Sequence, residues 1–192
     1  MKLIEALERH REELVEAARD AHFIVFLCGP NVAHDKHSAR FRLKIKKRLE
    51  KEGFEVVLGE DEGLANAVLK GIGINAQDNE VEFIRKYCNA VIIIADSAGS
   101  FCELGLFSWH FVHEGGAFER RNTDCIVLLD KAFQNDVSYL NEGPAAAIDG
   151  FGKLEFVNFS SYSGRNLIRR LKARRGVITV DNKRGRPRKG VP

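Results

Sequence analysis

The sequence predicts a parallel α/β sheet with helices on both faces, and three observations carry that reading. Five short apolar runs recur along the chain: FIVFLC (23–28), FEVVL (54–58), AVIIIA (90–95), CIVLL (125–129) and LEFVNF (154–159). Most are continuous rather than alternating, as expected for parallel strands covered on both faces. Helical patterns lie between them, and strands alternating with helices imply right-handed crossovers within one sheet.

The elements follow in order. Leu3, Leu7, Leu14 and Ala18 share one side of a helix over about 2–20, so residues 1–21 form an amphipathic N-terminal helix packed on its own domain. The α/β domain then spans 22–175. Its helices are predicted at 38–53 (SARFRLKIKKRLEKEG), 79–89 (NEVEFIRKYCN) and 103–116 (ELGLFSWHFVHEGG), with a last one at about 163–175. Residues 176–192 read as a basic, disordered tail.

With 192 residues, 44% of them hydrophobic, the chain suits one domain with a well-buried core. No apolar stretch is long enough to span a bilayer, and the charged first twenty residues do not resemble a secretion signal. Cys28, Cys88, Cys102 and Cys125 lie far apart without CxxC spacing, which suits reduced thiols in a cytoplasmic protein and predicts no metal site and no cofactor. Charge is unevenly placed. Residues 160–192 hold 11 Lys or Arg and one Asp, while the net charge of the whole chain is only +3, so an acidic body carries a basic end that suits polyanions.

In open parallel sheets, ligands bind beyond the carboxyl ends of the strands, where strand order reverses. That rule selects three loops. After the first strand, CGPNVAHDKHSAR (28–40) places Cys28, Gly29 and Pro30 at the strand end and Arg40 in the first helical turn, able to meet a phosphate. After the second, GEDEG (59–63) offers Glu60 and Asp61, which can accept hydrogen bonds from ribose hydroxyls or merely form an acidic turn. After the third, Asp96, Ser97, Gly99 and Ser100 form a small-residue turn ahead of Glu103. Two readings of Glu103 stand side by side. Ser100-x-x-Glu103 has the spacing of a capping box. Alternatively, a carboxylate in the first helical turn, kept ionised by the helix dipole and aimed over the sheet, can attack an anomeric carbon.

The stretch DSAGSFCELGLFS (96–108) resembles the nucleophile loop of nucleoside deoxyribosyltransferase-like proteins, with its small-residue turn followed by Glu-Leu-Gly. It resembles still more closely the effector proteins of bacterial retron defence systems, which carry that N-glycosidase-like domain. The resemblance covers about residues 23–145 and includes FLCGP (26–30), GED (59–61), EFIRKYCNAVII (82–93) and YLNEGP (139–144). It implies a flavodoxin-like (Rossmann-like) fold, catalysis by Glu103, and substrate binding by Glu82, Asp61 and the Cys28–Pro30 loop.

The implied activity cleaves or exchanges the base–sugar bond of a nucleoside, a nucleotide or NAD, as a toxic effector in anti-phage defence. The implied partners are a reverse transcriptase and its branched DNA–RNA product, with homo-oligomers expected. Two features depart from the pattern. The transferases carry an aspartate six residues before the catalytic glutamate, where this chain has Ser97, with Asp96 adjacent. Larger retron effectors also append a winged-helix region that is not expected here. The alternative is a non-catalytic, DNA-associated nucleotide-binding module.

The tail KRGRPRKG (183–190) contains Arg184-Gly185-Arg186-Pro187, the core of an AT-hook, in which arginines enter the minor groove of A·T-rich DNA while Arg188 and Lys189 meet phosphates. An unstructured basic tail with salt-dependent polyanion affinity is the plainer reading.

Overall fold

A computed structural model describes residues 2–19, 21–60, 75–113 and 123–183. Among them the elements run α1 (Lys2–Arg19), β1 (Ile24–Cys28), α2 (His37–Lys51), β2 (Glu55–Leu58), α3 (Ala76–Tyr87), β3 (Ala90–Ala95), α4 (Ala98–His113), β4 (Asp124–Asp130), α5 (Ala146–Phe151), β5 (Lys153–Val157) and α6 (Arg165–Lys183). A 3-10 turn (Lys131–Phe133) and a π-helical turn (Asn141–Ala145) connect β4 to α5.

The five strands form one parallel sheet in the order β2-β1-β3-β4-β5. This is the flavodoxin-like order, and its switch point lies between β1 and β3. β1, β3 and nearly all of β4 are buried because helices cover both faces. Successive residues still sort by side, as the two-residue period of a strand demands. Val25, Leu27, Ile92, Ile94, Ile126 and Leu128 pack with Phe41, Ile45 and Leu49 of α2 and with Leu167 and Leu171 of α6. On the other side, Phe26, Cys28, Val91, Ile93, Val127 and Leu129 pack with Ile84 of α3, Leu104 and Phe107 of α4, and Ile148 of α5.

α1 lies against α6. Near the far end of that layer, Arg175 stacks 4.2 Å over the Phe54 ring and donates to the carbonyls of Glu52 and Gly53, while Lys172 pairs with Glu52.

The expected sheet and its helices are present, with three differences. α4 begins at Ala98, five residues before the predicted start, because Ser97 caps it. α5 and the π turn lie between β4 and β5, where no helix was predicted. α6 continues past 175 to Lys183: Arg175, Thr179 and the partly buried Ile178 pack inward, so the chain keeps its helical period where a tail was expected. Residues 184–192, with the AT-hook-like Arg184, Arg186, Arg188 and Lys189, lie outside the described residues. Asp61 does as well.

Candidate functional site

The carboxyl ends of β1, β2 and β3 meet helices α2, α3 and α4 around a small set of charged side chains. Gly29 closes β1 with φ at +149°, and an added Cβ would lie 3.0 Å from the Ile94 Cβ and 3.2 Å from the Ile94 carbonyl oxygen. Only glycine meets both demands, so β1 and β3 approach closely at the switch point. Cys28 is buried just before it. Burial, and then the charges of Glu103 and Glu80, push its thiol well above the usual range, so it is no nucleophile at neutral pH.

Arg42 anchors this edge. It sits within the apolar stripe of α2 and is 2% exposed. Its guanidinium donates to the Leu27 carbonyl at 2.7 and 3.3 Å, to the Pro30 carbonyl at 3.2 Å, and to the two Glu60 oxygens at 2.6 and 2.8 Å. Five bonds use the full donor set of the fork, which ties the β1 loop to the end of β2.

Glu80 approaches from α3. A Cβ built on Gly59 would lie 2.8 Å from its Oε1, so the missing side chain at 59 makes room for this carboxyl group. Burial, reinforced by the charge of Glu60, raises its pKa, and Arg42 opposes the rise.

Glu103 is the sixth residue of α4, one turn before the buried Leu104–Phe107 face completes its packing. It forms no capping box. Ser97 is the N-cap: its Oγ accepts from the Ser100 N–H at 3.3 Å, while the Ser100 Oγ accepts from the backbone N–H groups of Asp96 (3.0 Å) and Ser97 (2.9 Å). The reciprocal cap is therefore a Ser97–Ser100 pair, which satisfies these donors without Glu103. The Glu103 Oε2 is buried with no hydrogen-bond partner among the described residues.

Its charge state also departs from the expectation. The dipole acts mainly within the first turn, and Glu103 stands beyond it. Burial lifts its pKa to about 8, with Glu80 and Glu60 adding to the rise and Arg42 opposing it. At neutral pH it is mostly protonated rather than held ionised.

The other expected site residues divide. Asp96 sits at the switch point, its carboxylate accepting from the Ser38 hydroxyl at 2.5 Å and its carbonyl from Lys36 at 3.1 Å. Ser97 and Ser100 serve the cap, and Gly99 is exposed, with no atom within 4 Å of an added Cβ. Pro30 contributes its carbonyl to Arg42.

Glu82 is not in the cluster. It pairs with Arg85 at 2.9 Å and Lys86 at 3.3 Å on the outer side of α3, and those hydrogen bonds hold its pKa low. Two residues turn a helix by about 200°, so Glu80 faces in when Glu82 faces out. Arg40 fails in the same way: it pairs with exposed Asp35 at 2.7 Å, while Arg42 holds the buried position. Asn141 spends its amide N–H groups on the Phe133 and Asp136 carbonyls.

Sequence reasoning thus missed Glu80 and Arg42. The signals were available. Glu80 lies four residues before buried Ile84, and Arg42 lies three from both Ala39 and Ile45. A charge within an apolar stripe marks a buried, partnered group.

The order β2-β1-β3-β4-β5, with carboxyl groups gathered at its switch point, defines a flavodoxin-like α/β protein. The model of the STM3845 retron effector protein family matches residues 37–184, and the chain belongs to that family. It is thus a retron effector, with a role in anti-phage defence. No significant match was found among curated proteins or among solved structures.

Proposed function

We propose that this effector is an N-glycosidase or glycosyltransferase of the nucleoside deoxyribosyltransferase type, acting on the base–sugar bond of a nucleoside, a nucleotide or NAD. One observation carries the reading: the Glu103 carboxyl group, buried and unpartnered at one oxygen, keeps a proton at neutral pH beside a second acid, Glu80. Pairs of acids with separated pKa values are the usual basis of acid–base work at a glycosidic bond.

The chemistry needs both charge states. As the bond from the anomeric carbon to the base nitrogen breaks, the proton held by the Glu103–Glu80 pair passes to the leaving nitrogen. The Glu103 carboxylate so generated attacks or stabilises the anomeric carbon. Water or another acceptor then takes the glycosyl group and returns a proton to the pair. Arg42 keeps Glu60 and the β1 loop in place throughout. In this reading the protein works in the cytoplasm, a reverse transcriptase and its DNA–RNA product restrain it, and it assembles as a homo-oligomer.

Incubating purified protein with nucleosides, nucleotides and NAD, and measuring free base, tests the proposal. Release by the wild type and its loss in E103Q is the expected result; no release from any of these, with retron partners present, overturns it. Ser97, standing where the transferases have an aspartate, favours a second reading: a nucleotide-binding module without catalysis. That module would bind nucleotide with no base released.

A further inference from the structure

The opposite side of α2 carries a second polar feature, unrelated to the acids. A groove of about 180 Å³ lies between α2 and the loop after β5, lined by His37, Arg40, Lys44, Ser160, Ser161 and Tyr162 over a floor of Phe41 and Phe159. None of these lining residues is acidic. Among the described residues Arg40 is held by Asp35, whose side chain is 90% exposed, and by a 3.3 Å contact with the ring of His37, itself a lining residue of the groove. Such an exposed pair contributes little and yields readily to a competing anion. The Ser161 hydroxyl makes only a 3.5 Å contact to the Asn158 carbonyl, so it too can turn towards a ligand.

The groove is one end of a longer cationic surface. Arg40, Lys44, Lys47 and Lys51 follow at helical spacing along one exposed ridge of α2, about 16 Å long. No acid interrupts α2 before Glu50. On the neighbouring helix, α6, Arg165 and Arg169 are exposed, and residues 165–180 contain no acid. A single small anion would use the groove alone. A ridge of evenly spaced cations running out of it matches a polymer of repeated phosphates.

We propose that the α2–α6 face binds the phosphodiester backbone of a nucleic-acid strand, one phosphate seated between Arg40, Lys44 and Ser161 and its neighbours along the α2 ridge. Recognition is of the backbone and is independent of base sequence. The surface lies across the sheet from α3 and α4, which carry Glu80 and Glu103.

The test is fluorescence anisotropy of a labelled single strand with the full chain, over a series of salt concentrations. The double variant R40A/K44A is expected to bind about tenfold or more weakly, with a salt slope shallower by about 1.4, the value for two lost phosphate contacts on a single strand. R85A/K86A, which removes two cations from the opposite face, is expected to bind like the wild type.

Unchanged affinity and slope in R40A/K44A, or an equal loss in R85A/K86A, overturns the proposal. So does displacement of the strand by inorganic phosphate at equal phosphate concentration, which would mark a small-anion site. The readout is binding alone, so its outcome is separate from that of the base-release assay.

Discussion

Glu80 and Glu103 stand on different helices, yet the charge of Glu80 helps hold the proton on Glu103. Burial supplies the larger part of that shift, and Glu80 is the next largest contributor. E80Q is therefore expected to move the Glu103 titration to lower pH. Carboxyl NMR of the two variants checks this. E82Q is expected to leave the titration where it is, because Glu82 pairs outward with Arg85 and Lys86.

The same raised pKa makes folding depend on pH. Between the ordinary carboxyl value of 4.5 and about 8, folded Glu103 keeps a proton that the unfolded chain has released. Stability contributed by this group is thus fully present below about 4.5, falls as pH rises through the window, and is level above it. The total is on the order of 3–5 kcal/mol. E103Q is expected to lack this component, so denaturation midpoints of wild type and variant should converge at low pH and separate in the variant's favour towards pH 9.

Removing Arg42 leaves Glu60 without its partner and two strand-end carbonyls without donors. R42M is expected to cost about 3–5 kcal/mol in urea denaturation. R42M/E60Q is expected to recover part of that loss. R42K should not restore stability, since lysine has three donors where five are in use.

Two glycines are expected to respond in opposite ways. G29A introduces strain at positive φ and a contact with Ile94, worth about 1–3 kcal/mol, or a fall in melting temperature of roughly 3–10 °C for a chain of this size. G99A meets nothing, lies in the first turn of α4, and is expected to stabilise by about 0.5–1 kcal/mol. Thermal melts of the two variants make the comparison.

The alternation of apolar runs and helical patterns made the sheet legible, because burial on both faces leaves a continuous apolar signature that hydrophobic residues alone can write. The site was legible only to within two residues. Glu103 and the switch-point loops do border the buried charged cluster, but of the other residues named, Glu82 and Arg40 face outward while Glu80 and Arg42 hold the buried positions. A list of charged residues does not say which way a helix is turned; the neighbouring apolar residues do. The state of Glu103 was misread for a related reason. The helix start was set at Glu103 itself, and the cap five to six residues earlier removes the dipole that was to keep it ionised. Burial then governs its proton.

Helix α2 faces two chemistries at once: Arg42 looks inward to the strand ends, and Arg40 and Lys44 look outward. Both sets of side chains are carried by one continuous helix of 15 residues. Whatever docks on that outer surface therefore lies on the same helix as the guanidinium that holds Glu60 at the strand ends.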